Sequence, residues 1–252
     1  MMPVSLSGGV EPGARTGTSV GGQPVVVWRG ADGLARAWAD LCPHRGMRLS
    51  FGFVRESQLT CIYHGWSFGD EPDSGSGSRS GSGPGGATEP RVRAARCLSV
   101  PAHPGMTPPG KAVVAALPVA EALGMIWVGT GPGDTRLPHD AGPEAGAQGA
   151  AGAGDGDDAV HAVRSVTVPA PSPALRAALE TTLPPGTEIV ARAGELITFK
   201  GPDLRVIAAI QDRGDGTAAA HIVTTNPDAL GRKSLCLWAA LVRDHLAAVA
   251  VP

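Results

Sequence analysis

The sequence predicts a mainly β chain in two parts, a β-sandwich domain over residues 8–130 and a small α+β domain over residues 160–252. Three observations carry this. The first part is a succession of short apolar runs broken by turn residues, the mark of antiparallel strands. Residues 131–159 are rich in Gly and Ala, carry Asp134, Asp140, Glu144, Asp155, Asp157 and Asp158 against Arg136 alone, and lack aromatics. Such a stretch cannot bury enough apolar surface to order itself and reads as a disordered linker. Beyond it, strand-like and helix-like periodicities mix.

Taken in order, Gln23 to Arg29 is rich in Val and ends after Trp28, Gly30-Ala31-Asp32-Gly33 is a turn, and Leu34 to Asp40 alternates apolar with polar residues. That is a β-hairpin. A second hairpin pairs Phe53–Arg55 with Gln58–Cys61 across Glu56-Ser57. Each hairpin runs into a short segment of its own: Cys42-Pro43-His44-Arg45-Gly46 follows the first and Cys61-Ile62-Tyr63-His64-Gly65-Trp66 the second. Both segments carry one thiol, one imidazole and a Gly, and the two sit at the tips of the predicted sheet. Gly46 and Gly65 suit tight turns, because a residue without a Cβ tolerates positive φ. Two Cys and two His also suit tetrahedral zinc, although zinc modules pair Cys with Cys and His with His, whereas here the types alternate.

These two segments are similar to the ligand loops of Rieske iron–sulfur proteins, and the phrases Cys-Pro-His-Arg-Gly and Tyr-His-Gly-Trp resemble the ring-hydroxylating oxygenase branch. The resemblance covers residues 8 to 130, with return strands around Arg91–Val100, Ala112–Leu117 and Met125–Gly129. It implies a [2Fe–2S] cluster held by Cys42, His44, Cys61 and His64, the thiolates on the inner iron and the imidazoles on the outer one. In the respiratory branch each loop has an extra cysteine and the two form a disulfide; Met47 and Ile62 stand there, so none is implied. Trp66 offers no hydroxyl to a bridging sulfide, which implies a potential toward the lower end of the Rieske range. The resemblance also implies a reductase or ferredoxin as electron donor, and an oxygenase partner or a small organic substrate downstream. Arg45 is expected to support the fold or to meet a partner beside the cluster.

Residues 71–90 contain no apolar side chain larger than Ala and read as a flexible insertion. His103 falls in a Pro-rich connection. Met125–Val128 is expected to close the sandwich, with Trp127 packed beneath the sheet. In the second part, His161–Val168 alternates as a strand and Ser172-Pro173 reads as an N-cap opening a helix through Thr181. Glu188–Ala193, Glu195–Lys200, Leu204–Gln211 and Ala218–Thr225 read as strands separated by Gly- and Asp-rich turns. Ser234 is expected to cap a last helix whose Leu235, Trp238, Val242, Leu246 and Val249 share a face. This element order is similar to the helix-grip fold of oxygenase catalytic domains, here reduced to about half the implied size. The family's mononuclear iron uses two His about five residues apart plus a carboxylate. His103, His139, His161, His221 and His245 are scattered and make no such pair.

Composition sets the remaining bounds. The chain has 252 residues with 36 Gly, 23 Pro and only 4% aromatics, too few large side chains for every residue to lie in a packed core. A formal charge of −2 argues against nucleic-acid and anionic-membrane partners, which select basic surfaces. The longest apolar run, Leu235–Val242, is far short of the roughly 20 residues that span a bilayer, and Met1–Ser5 lacks the basic and apolar regions of a secretory signal. A cytoplasmic protein is expected, with Cys97 and Cys236 as free thiols. Function divides three ways: a one-electron relay, a terminal oxygenase with a divergent iron site, or a zinc-bound or metal-free binding module.

Overall fold

The computed structural model describes residues 1–70, 95–131, 133–137, 160–225 and 228–249. The insertion expected over 71–90, nearly all of the expected linker and His139 lie outside the described residues. Among the described residues the N-terminal unit holds twelve strands: β1 (Met2–Leu6), β2 (Arg15–Val20), β3 (Gln23–Arg29), β4 (Ala35–Ala39), β5 (Phe53–Arg55), β6 (Gln58–Thr60), β7 (Ser67–Asp70), β8 (Ala95–Ser99), β9 (Val113–Val114), β10 (Ala116–Leu117), β11 (Val119–Ala122) and β12 (Met125–Val128). The C-terminal unit runs β13 (His161–Val168), α1 (Ser172–Thr181), β14 (Glu188–Ala193), β15 (Leu196–Lys200), β16 (Arg205–Asp212), β17 (Ala218–Thr224) and α2 (Ala229–Val249).

These strands form four antiparallel sheets stacked in sequence. The outermost, β5-β6-β7-β8-β9, faces the sheet β10-β4-β3-β2 across a core of Val26, Trp28, Trp38, Leu59 and Phe68. Because alternate side chains of a strand point to opposite faces, Val25 and Val27 look the other way. They pack with Ile126 and Val128 of the three-stranded sheet β1-β12-β11. Met125 and Trp127 then face the C-terminal sheet, where Ile207, Ala209 and Val223 complete a shared core. So β12 is buried on both faces. Trp127 is fully buried, with Nε1–H donating to the Ala122 carbonyl at 3.0 Å, and the surface beneath it belongs to the second unit.

The C-terminal sheet is ordered β13-β17-β16-β15-β14. Its far face, with Ile197, Phe199, Ala208 and Ile222, is covered by α1 and α2 through Leu175, Leu179, Leu235 and Trp238. The predicted helical stripe Leu235, Trp238, Val242 and Leu246 is buried there; the side chain of Val249 lies outside the described residues.

Three local expectations are corrected. Ser172 is inside α1, not its cap: Pro171 holds the cap position, and the Ser172 hydroxyl donates to Asp212 at 2.9 Å. Ser234 is also interior, since α2 opens at Ala229. The Asp228 carboxylate accepts the Gly231 N–H at 2.9 Å, the geometry of an N-terminal cap. Finally, Met2–Leu6, ahead of the boundary expected at residue 8, pairs with Met125–Val128. No helix among the described residues is long and apolar enough to cross a membrane.

Candidate cluster site

Two loops meet at one end of the N-terminal unit, and they leave different sheets rather than the tips of one. The first follows β4; the second joins β6 to β7. They close identically. The Cys42 N–H donates to the Met47 carbonyl at 2.8 Å and the Gly46 N–H to the Cys42 carbonyl at 2.9 Å; the Cys61 N–H donates to Trp66 at 2.9 Å and the Gly65 N–H to Cys61 at 3.0 Å. Gly46 and Gly65 sit at φ +72° and +70°, where any side chain would strain the turn.

Within this frame the thiols point in and the imidazoles out. Cys42 and Cys61 are 2% and 1% exposed and belong to the core with Leu49, Leu59 and Phe68. Both are free. His64 is exposed and His44 half-buried, their ring centroids 4.6 Å apart at 66°. Trp66 stacks on His44 at 4.3 Å and 5°, and Tyr63 lies 4.0 Å from His64. These contacts restrict both rings.

The donor chemistry fits a binuclear cluster. Burial pushes the Cys42 thiol up, and the Cys61 thiol beside it adds to this, while the backbone N–H groups of His44 and Arg45 favour its thiolate. A thiolate is the form that binds metal. Desolvation and the charges of His64 and Arg45 push the His44 imidazole down, toward the neutral state that ligation needs. A [2Fe–2S] unit takes two protein ligands at each iron, so the protein need not gather three donors around one point. Among the described residues it gathers no such trio of His, Cys, Asp or Glu.

The supports of the first loop were missed in the sequence. Asp40, 2% exposed, accepts the Ser50 N–H at 2.7 Å and its hydroxyl at 2.6 Å, and lies 3.5 Å from Arg48. An acid at the end of a strand just before Cys42 was the available signal. Arg45 and Ile62 are exposed and Met47 half-buried.

The other histidines lie elsewhere. His103 sits exposed in its loop, His161 is half-buried at the start of β13, and His245 is exposed on α2. His221 is buried in β17, its Nδ1 2.8 Å from Ser165 Oγ and its Nε2 3.3 Å from Gln211 Oε1.

Residues 1–80 match the family model of the Rieske [2Fe-2S] domain. The chain carries a Rieske [2Fe–2S] domain. Its cofactor is a [2Fe–2S] cluster. The Rieske domain is 36% identical over 115 residues to "Oxidoreductase NdmD" of Pseudomonas putida, covering 45% of this chain and 16% of that protein. It is 34% identical over 121 residues to the vanillate O-demethylase oxygenase subunit of a Pseudomonas species, covering 48% and 26%. The match thus spans only 16% and 26% of these relatives. Among solved structures, the QL mutant of NdmA of Pseudomonas putida CBB5, with theobromine, superposes with a TM-score of 0.64 at 17% identity over 98% of this chain and 80% of that one. Dicamba monooxygenase bound to dicamba gives 0.63 at 15%, over 98% and 86%. The likeness of fold to Rieske oxygenase α-subunits therefore takes in the C-terminal unit as well as the Rieske domain.

Proposed function

We propose that the protein is a Rieske-type oxidoreductase component that relays single electrons in an oxygenase-like system, with Cys42, His44, Cys61 and His64 as cluster ligands. A reductase or ferredoxin is the donor, and an oxygenase partner the acceptor. One observation carries this reading: two buried thiols stand beneath two outward imidazoles whose rings lie 4.6 Å apart. The cluster would supply a one-electron couple at about −150 to +300 mV, above the roughly −400 mV of all-thiolate plant-type ferredoxins. Cys42 and Cys61 anchor it in the core, while His44 and His64 present the route by which electrons enter and leave. Exposed Leu41, Ile62 and Tyr63 give a docking partner apolar surface with which to exclude water at the imidazole edges. The charge balance supports a protein or small-molecule partner rather than nucleic acid or membrane, and the free thiols of Cys97 and Cys236 support a cytoplasmic setting.

Iron and acid-labile sulfide analysis with electron paramagnetic resonance of the dithionite-reduced protein tests this. Two irons, two sulfides and a Rieske-type spectrum are expected, and His64→Ala should abolish the spectrum. A His64→Ala protein with unchanged absorbance would overturn the ligand set, and a colourless, zinc-loaded wild type would overturn the relay in favour of a binding module.

A second reading, a terminal monooxygenase or dioxygenase acting on a small organic substrate, draws on the likeness to two oxygenase-type structures over 98% of the chain. It requires a further, mononuclear iron. A third iron per chain supports it; two irons per chain support the relay.

A further inference from the structure

We propose that the junction between the two units binds a compact anion, of the phosphate or dicarboxylate class, in a cleft apart from the four proposed cluster ligands. A recess of about 640 Å³ opens between β2, the segment after the first ligand loop and the β16–β17 turn. Its cationic lining is Arg15 from β2, Arg48 from the loop segment and Arg213 from the turn; Asp215 is the acidic residue among them. Thr16, Thr18, Ser19 and Ser50 share the walls, the Ser50 hydroxyl donating to Asp40 and the Thr18 hydroxyl accepting from Gln211. Guanidinium forks with hydroxyls between them are the recognition chemistry of carboxylate and phosphate oxygens.

The arginines are short of acceptors. Arg15 is exposed, and no carboxylate lies within ion-pair distance of it among the described residues. Arg213 Nε is buried without a hydrogen-bond partner, 3.9 Å from Asp215 Oδ2. Asp215 spends its other oxygen on the Thr217 N–H at 3.0 Å and hydroxyl at 2.5 Å. Arg48 reaches Asp40 only at 3.5 Å, and Asp40 is engaged by Ser50. A buried N–H with no acceptor is costly unless a ligand supplies one. The floor is rigid: the Gly22 N–H donates to the Arg213 carbonyl at 3.2 Å. Any side chain on Gly214, at φ +72°, would strike the Gly22 backbone.

Size and charge select the occupant. A recess of this volume takes a small ligand, and three guanidinium groups against Asp215 and the Asp40 that meets Arg48 leave the cleft net positive, which favours an anion. Because Arg15 and Arg213 belong to different units, the occupant also braces their junction.

Isothermal titration calorimetry of the full chain in 0.15 M NaCl tests the site, with inorganic phosphate and succinate as separate probes. Saturable one-to-one binding of phosphate, succinate or both is expected, and the stronger probe tells which oxygen geometry the cleft prefers. Arg213→Gln and Arg15→Gln, on opposite walls, should each weaken binding at least tenfold. The near-ultraviolet dichroism and melting temperature of the unliganded variants check that they fold. If neither probe saturates, or if both folded variants bind like wild type, the site is refuted.

Discussion

Gln211 reaches from β16 back to β2. Its Nε2 donates to Thr18 Oγ1 at 2.7 Å and to the Ser19 carbonyl at 2.8 Å, across 193 and 192 residues of sequence. Its Oε1 faces His221 Nε2, whose ring in turn meets Ser165. This polar chain continues the apolar face of Ile207 and Ala209 and joins the Rieske domain to the C-terminal sheet. Gln211→Leu leaves Thr18, the Ser19 carbonyl and His221 without these partners in a buried setting. A loss of about 2–3 kcal/mol is expected, read as a lower urea midpoint at unchanged slope. A change below about 0.5 kcal/mol would mean that the junction does not depend on this contact.

His221 makes stability depend on pH. Burial, reinforced by the Arg213 charge, pushes its imidazole down from 6.5 to about 4. The unfolded chain therefore takes up a proton near pH 6.5 that the folded chain refuses until about pH 4. Stability is full above pH 6.5 and falls as pH drops through that window, by about 3 kcal/mol for a shift of this size. Urea midpoints at pH 7 and pH 4.5 should differ for the wild type and differ much less for His221→Gln. Parallel profiles for the two proteins would assign the pH dependence to other groups.

Arg36 couples the sheets from which the two ligand loops emerge. Its side chain, 3% exposed, contacts Asp70 of β7 at 2.7 Å and Asp32 at 2.6 Å, and lies 4.8 Å from the Trp28 ring centre. Arg36→Met strips a buried guanidinium from two carboxylates, with an expected loss of about 3–5 kcal/mol. Arg36→Lys keeps the charge but not the fork geometry and should fall between. A methionine variant melting within 2 °C of the wild type would contradict this role.

Gly52 sets the spacing behind the second ligand loop. A Cβ there would collide with the Thr60 carbonyl oxygen, one residue before Cys61, and would press on the Leu49 carbonyl at 3.0 Å. Both obstacles are backbone, so neither yields by a rotamer change. Gly52→Ala is expected to cost more than about 2 kcal/mol and to lower iron content per folded chain. Full iron loading with wild-type stability would show that β6 can shift without disturbing Cys61.

How much of this was legible follows from what each feature depends on. Cys42, His44, Cys61 and His64, the proposed cluster ligands, stand out in the sequence because metal chemistry tolerates few residue types and the turns demand Gly. The hairpin of Gln23–Arg29 with Leu34–Asp40 is readable from a dense apolar run and an alternating one on either side of a turn. What escaped depends on contacts distant in sequence. Nothing local marks Met2–Leu6 as the partner of Met125–Val128, and Ser234 resembles a cap until Asp228, which accepts from Gly231, is seen to start α2 earlier. Gln211 reads as one polar residue at the end of an apolar strand; only the opposing position of Thr18 gives it a role. Trp127 was predicted to be buried, but its neighbours Ile207 and Val223 come from the other unit.

Strand β12 carries a consequence for how this protein comes apart. Its two faces belong to two different cores, so cutting the backbone between the units would not release a self-sufficient cluster module. The amino-terminal fragment would expose Met125 and Trp127, and the carboxy-terminal fragment Ile207 and Val223. A nicked chain should stay associated and melt in one step, and separately expressed fragments should recover solubility only when mixed.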